Sequence, residues 1–430
     1  MRVAYITAGA GGMYCGSCIH DNTLAAALTG LGVDVALIPT YTPLRTDEED
    51  VSLERVFYGG IGVYLAEKSA LVRRLPSWVT RPLDRPGLLR WAADRFGGAT
   101  EARDLGALTL SVLRGEEGRQ RRQLEELSRW LAKDLRPDVV QLTNSMLAGL
   151  AGPLKRALGR PVLCGVQGEE IFLDRLVEPY RTQAREELRS RARDVDGFLS
   201  PSAVYADFMA GYLEVPRDRF HVVPLGLRLE GHGPPPDGAR GPGPFRIGFL
   251  ARICPEKGLH VAAGALRLLA ERLGPEAVRL EAAGWLGPAD RAYFEEVKSG
   301  PETEGLGFEY RGSVDRAGKI EFLRGLHALT VPAPYHEPKG LYVLEALANG
   351  VPVVQPRHGA YPELVEGTGG GLLVDAAEPE AVAAGLQELF EDEDRRLRLG
   401  RRGRAAVHES RGDELMAART REVYERFAAG

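Results

Sequence analysis

Short apolar runs alternate with longer helical patterns along most of the chain. In the first half the runs are Arg2–Thr7, Val33–Thr40, Asp138–Thr143, Pro161–Gln167, Gly197–Ser202 and Phe220–Gly226. In the second they are Phe245–Ala251, Val278–Gly284, Phe308–Ser313, Ala328–Pro334, Val351–Pro356 and Gly371–Asp375. Glycine or a polar cap follows most runs, and then a stretch with helical spacing. Strands that read as continuous apolar runs are buried on both faces, which is the mark of parallel sheets covered by helices. The pattern predicts an α/β chain with two doubly wound, Rossmann-like domains. Ligands of such sheets bind outside the carboxyl ends of the strands, so a cleft between the two domains is the expected site.

The stretch Glu230–Pro244 (EGHGPPPDGARGPGP) is too rich in Pro and Gly for a helix or a central strand and reads as a linker. The expected division is 1–229, a linker 230–244, and 245–412. The late amphipathic segment Asp413–Phe427 is expected to pack back on the first domain, so that 413–430 complete it. A length of 430 residues with 44% hydrophobic residues suits two cores. The net charge of -5 gives no sign of a nucleic-acid-binding surface. Four cysteines make no disulfide framework. The N-terminus lacks the apolar core of a signal peptide, and no run reaches the ~18 apolar residues of a membrane span. A cytoplasmic protein is expected.

Chemistry concentrates in the second half. Glu337 follows the Ala328–Pro334 run, and Glu345 lies inside the helix that Gly340 and Leu341 begin. The unpaired amides and positive dipole end of such a helix start attract phosphate. A carboxylate in the helix suits the vicinal hydroxyls of a ribose, and one before it suits the hydroxyls of a sugar beyond the phosphates. The bland alternative is a capping or solvated glutamate at each position. Upstream, Gly248–His260 (GFLARICPEKGLH) puts Arg252 and Lys257 just after the first strand of this half. Two fixed cations there suit a diphosphate leaving group, the alternative being a solvated basic loop.

With these stretches, and with ALANGVPVVQPRHGAYPELVEGTGGGLLVD after the paired glutamates, nearly the whole chain resembles the retaining glycosyltransferases of family 4, of GT-B architecture. The resemblance implies transfer of a sugar from a nucleotide diphosphate sugar to a hydroxyl acceptor, with no other cofactor and no metal. It assigns Arg252 and Lys257 to the diphosphate, Glu337 to the sugar, Glu345 to the ribose, the backbone of Gly340 and Leu341 to the distal phosphate, and Arg311–Val314 to the base. Gly11 and Gly12, after the first strand, would approach the donor phosphates; these glycines do not spell the dinucleotide fingerprint.

Family members often carry a histidine–glycine pair where this chain has Gln167 and Gly168. Gln hydrogen-bonds a hydroxyl but cannot shuttle a proton. Gln167, Glu169 or Glu170, and His20 are the acceptor-side candidates. Cys15 and Cys18 form a C-x-x-C on a glycine-rich turn without further ligands nearby in sequence, and local packing is expected. Asp194 and Asp196 spell D-x-D at a helix end, where a solvated terminus is expected rather than a metal site. The stretch Lys68–Arg122 mixes Trp78 and Trp91 with many arginines. It is expected to be an inserted helical lobe; a lipid-linked acceptor or a membrane interface would meet the protein here. Two other function classes remain open: a nucleotide-sugar 2-epimerase of the same architecture, and a non-catalytic nucleotide-sugar binder.

Overall fold

The computed structural model describes residues 1–9, 16–44, 46–54, 56–57, 102–234 and 243–429. Gly11, Gly12, Cys15 and the part of the arginine-rich stretch that holds Trp78 and Trp91 lie outside them. The chain forms two compact units, Met1–Gly226 with Asp413–Gly430, and Leu227–Gly412.

In the first unit six parallel strands run in the order β2-β1-β3-β4-β5-β6. They are β1 (Arg2–Thr7), β2 (Asp34–Pro39), β3 (Val139–Leu142), β4 (Val162–Gly165), β5 (Gly197–Ser200) and β6 (Phe220–Val222). Every residue of β3, β4 and β5 is buried, as strands covered on both faces require. One face packs on the helices Ala151–Leu158, Tyr180–Ala192 and Ala203–Leu213 through Leu154, Leu188 and Met209. The other packs on the helix Gly16–Gly30 and on the last helix, Asp413–Ala428, which contributes Met416, Ala417, Val423 and Tyr424 to that core.

The second unit repeats the plan with the order β12-β11-β10-β7-β8-β9, again parallel throughout. Its strands are β7 (Phe245–Leu250), β8 (Val278–Ala283), β9 (Gly307–Tyr310), β10 (Ala328–Leu329), β11 (Val353–Pro356) and β12 (Gly371–Val374). All twelve apolar runs therefore contain strands. β10 is much shorter than its run. Thr330 still donates its amide to Gly248, but Pro332 and Pro334 have no N–H for the ladder.

Each sheet has one place where successive strands leave in opposite directions: between β1 and β3 in the first unit, and between β7 and β10 in the second. Crevices at the carboxyl ends of such strand pairs are where open α/β sheets bind ligands.

Candidate functional site

At the switch point of the second unit, β7 leads into Arg252 and a turn, Pro255–Lys257, and then the helix Leu259–Leu273. Gly258 joins turn and helix at φ 76°, and a Cβ there would run into the carbonyl oxygen of Pro332. A glycine thus lets the Lys257 loop close against the chain leaving β10. On that chain stands Glu337, 3% exposed. Its Oε2 accepts from Lys257 Nζ at 2.5 Å and from the hydroxyls of Tyr335 and Tyr342, each at 2.9 Å. Its Oε1 accepts from the backbone N–H of Lys339 (3.3 Å) and Gly340 (3.2 Å), at the start of the helix Leu341–Ala348. Burial alone would raise the pKa of this carboxyl. The Lys257 charge and the converging donors outweigh it and hold Glu337 down at about 2. Arg252 is exposed beside this group and acts on the Tyr335 hydroxyl, which burial and Glu337 push well up. The structure thus brings Arg252, Lys257, Glu337, Gly340 and Leu341 together around one helix start.

Glu345, inside that helix, is also buried and ion-paired: Lys319 Nζ donates to its Oε1 at 2.5 Å, with the side chains 10% and 8% exposed. Lys319 comes from the helix Arg316–Gly325, which Asp315 caps by accepting the Gly318 N–H at 2.8 Å. Half-buried Val314 immediately precedes that cap. The Glu345 carbonyl accepts from Asn349 Nδ2, which also meets Nδ1 of buried His232 at 2.8 Å. Burial, and then the cations of Arg316 and Lys319, press the His232 pKa to about 3, so the ring is neutral.

In the first unit the switch point is organised by Asp21, which is completely buried. Oδ1 accepts from Tyr5 (2.7 Å) and from Gln167 Nε2 (2.9 Å), and faces His20 Nδ1 at 3.2 Å. Oδ2 accepts from Thr7 (2.9 Å) and Thr143 (2.5 Å), which sit at the ends of β1 and β3. Desolvation would raise this carboxyl, yet hydrogen bonds led by His20 take it below its usual value. Gln167 spends its amide N–H groups on Asp21 and on the Thr143 carbonyl (2.9 Å). Glu169 is a staple: Oε1 accepts from Ser145 N–H and hydroxyl (3.0 and 2.6 Å), and Oε2 from Gln167 N–H (2.7 Å).

Glu170 is buried and receives the hydroxyl of Tyr205, which in turn accepts from Gly168 N–H. Desolvation, and then the Glu169 charge, push its pKa up to about 7. An unfolded glutamate ionises near 4.3, so between about pH 4.5 and 7 the folded state holds more protons and stability falls as pH rises. Glu170→Gln removes that loss. The variant is expected to exceed the parent by about 1–3 kcal/mol at pH 8 and to match it near pH 4.5, in urea unfolding at the two pH values.

Asp196 accepts from Lys155 Nζ (2.7 Å) and from Val162 N–H (2.8 Å), which ties a helix to the start of β4. No cluster of three or more His, Cys, Asp or Glu able to hold a metal occurs among the described residues. Cys18, Cys164 and Cys254 are buried. No described helix is long and apolar enough to cross a membrane.

Family models account for most of the sequence: residues 22–226 match the glycosyl transferase 4-like domain, and residues 236–406 match glycosyl transferases group 1. The chain belongs to the GT4-type glycosyltransferases. Its architecture is GT-B, with two parallel α/β units. A curated relative, the D-inositol 3-phosphate glycosyltransferase of Corynebacterium jeikeium (strain K411), is 33% identical over 162 residues, which is 36% of this chain and 38% of the relative. The chain thus spans well under half the length of that relative. Sucrose-phosphate synthase from Thermosynechococcus elongatus superposes over 100% of both chains with a TM-score of 0.71 at 17% identity. Anabaena HepE, solved in complex with UDP, covers 99% of this chain and 100% of its own with a TM-score of 0.68 at 14% identity. At those identities the likeness is one of fold. Asp21, which organises the first switch point of this GT4-type chain, and Lys319, the buried counter-ion of Glu345, were not among the residues singled out from sequence. The one trace of Asp21 is the polar run Asp21-Asn22-Thr23 inside a helix that follows the first strand.

Proposed function

We propose that this chain transfers a hexosyl group from a UDP- or GDP-linked sugar to a hydroxyl of a carbohydrate, lipid-linked or small-molecule acceptor, with retention at the anomeric carbon. The observation that carries the reading is the buried Lys257–Glu337 pair at the start of the helix Leu341–Ala348. The positive end of that helix favours the diphosphate. Arg252 adds a planar fork and Lys257 a compact charge as the bond to the sugar breaks. A carboxylate offers about four lone-pair sites, and five donors crowd Glu337. A sugar hydroxyl that bonds Glu337 therefore replaces one of them, and Lys257 is the donor with a second anion to turn to. So fully engaged a carboxylate is a poor nucleophile, and its role is to hold the sugar.

On this reading Glu345 holds the ribose, Val314 lies beside the base, and Gly11 and Gly12 approach the phosphates. Gln167, Glu169 and His20 belong to the acceptor side. The protein works in the cytoplasm, and the stretch Lys68–Arg122 would meet a lipid-linked acceptor. The nucleotide sugar is a substrate, and no bound cofactor takes part.

A thermal-shift screen with UDP-, GDP- and ADP-sugars tests the reading, since a ligand of the folded state raises its apparent stability. A rise of several degrees with one nucleotide series is expected, and no response to any of them would overturn it. Cations of the chain supply the countercharge here, so turnover is expected to survive excess EDTA. A strict need for Mg²⁺ or Mn²⁺ would show that Arg252 and Lys257 do not suffice.

A further inference from the structure

The first unit holds a buried carboxylate whose surroundings make it an orienting group. Asp21 sits at the switch point of the sheet and ties together the ends of β1 and β3 through Thr7 and Thr143. Four protein donors fix the carboxylate from the sheet side: Tyr5, Thr7, Thr143 and Gln167. The fifth contact is to His20, its neighbour in the helix Gly16–Gly30, whose side chain keeps 16% of its surface exposed. A carboxylate that accepts from Nδ1 of a neutral imidazole places the proton there. Nε2 then keeps its lone pair, in a fixed direction. No partner for Nε2 is found among the described residues. A buried anion locked by four donors and turned toward one partly exposed ring is the base-and-orienter arrangement of acid–base sites.

We infer that Asp21 is a positioning residue and that His20 Nε2 accepts a hydrogen bond from the hydroxyl of the acceptor, aligning its oxygen for attack. The inference rests on the reading of the chain as a glycosyltransferase. It assigns to Gln167 a supporting part, since its amide braces the same Asp21 oxygen that faces the imidazole. Among the described residues, the ionisable groups next to Asp21 include Tyr5 from β1 and Tyr424 from the last helix, with Cys164 from β4 beyond Tyr5 and Glu169 beyond Gln167. Burial pushes Tyr5, Cys164 and Tyr424 up, so they stay neutral near pH 7 and leave Asp21 as the charge against the ring.

Two measurements test it. The first needs no substrate: ¹⁵N NMR of the histidine rings, with His20 assigned by comparison with His20→Gln. The neutral ring is expected to carry its proton on Nδ1 in the parent, and to lose that preference in Asp21→Asn. A proton on Nε2 in the parent would overturn the proposal. The second follows nucleoside diphosphate release from UDP-glucose and GDP-mannose with a panel of hydroxyl acceptors that includes D-inositol 3-phosphate. His20→Gln is expected to lower kcat about 10–10²-fold, as misplacement of a reacting group by an ångström does. Donor KM should be unchanged. Full kcat in His20→Gln would overturn the proposal while leaving the glycosyltransferase reading intact. A parent protein that binds no nucleotide sugar would instead overturn that reading, and the NMR result would still decide whether Asp21 orients His20. If Asp21→Asn fails to fold, His20→Gln and the ring of the parent carry both tests.

Discussion

Lys257→Ala is expected to lower turnover about 10²–10³-fold and to reduce the unfolding free energy by about 3–5 kcal/mol at pH 7. The two losses have different origins. Turnover falls because, on the proposed reading, a fixed cation no longer meets the charge that grows on the departing diphosphate. Stability falls because Glu337, 3% exposed, keeps its charge and loses its counter-ion. A buried ion pair is worth little against an apolar replacement of both members, whereas removing one partner is costly. Lys257→Met combined with Glu337→Gln is therefore expected to recover most of the stability and none of the turnover. The pH dependence separates the terms further. In the parent, Glu337 is held at about 2, so its contribution is fully present above about pH 4.5 and disappears as pH falls toward 2. Without Lys257, burial raises the same carboxyl, protonation relieves it, and the gap between variant and parent should close on acidification. Urea unfolding between pH 3 and 8 checks this. A gap independent of pH would mean that the pair does not carry the loss.

Lys319→Met is expected to cost a similar 3–5 kcal/mol, because Glu345 is left buried and charged within the helix Leu341–Ala348. Lys319→Met with Glu345→Gln should return close to the parent's stability. Affinity is expected to behave differently. If Glu345 holds the ribose, the double variant stays folded and still binds bare UDP or GDP about 10–100-fold more weakly, the scale of a lost charge-assisted hydrogen bond. Calorimetry with the bare nucleotides reads this. Unchanged affinity in the stable double variant would take the ribose away from Glu345 and leave the pair a purely structural device.

The parallel sheets were legible because their strands are buried on both faces, which turns them into near-continuous apolar runs such as Val162–Gly165. Strand ends were less so. β10 stops where prolines remove the donors, although apolar residues continue to Val331 and Ala333. At the site, Glu337, Arg252 and Lys257 could be picked out because each stands just beyond a strand or at a helix start, where charge has a physical use, and Glu345 because it lies inside the helix that follows. Their pairing could not. Glu337 and Lys257 are 80 positions apart, and a cation beside a carboxylate leaves no trace at that separation. Lys319 reads as the polar side of an amphipathic helix and is in fact buried. Asp21 is hidden for the same reason: a buried carboxylate is tolerable only with several donors, and these come from β1, from Thr143 after β3 and from Gln167 after β4.

The helix Asp413–Ala428 covers one face of the first sheet, yet it is made after the whole of Leu227–Gly412. On a ribosome adding about 5–20 residues per second, the nascent first unit waits roughly ten to forty seconds for the segment that shields Val3, Tyr5 and Val139. During that interval the second unit has everything its own sheet needs, and the part of the chain made first is the part finished last.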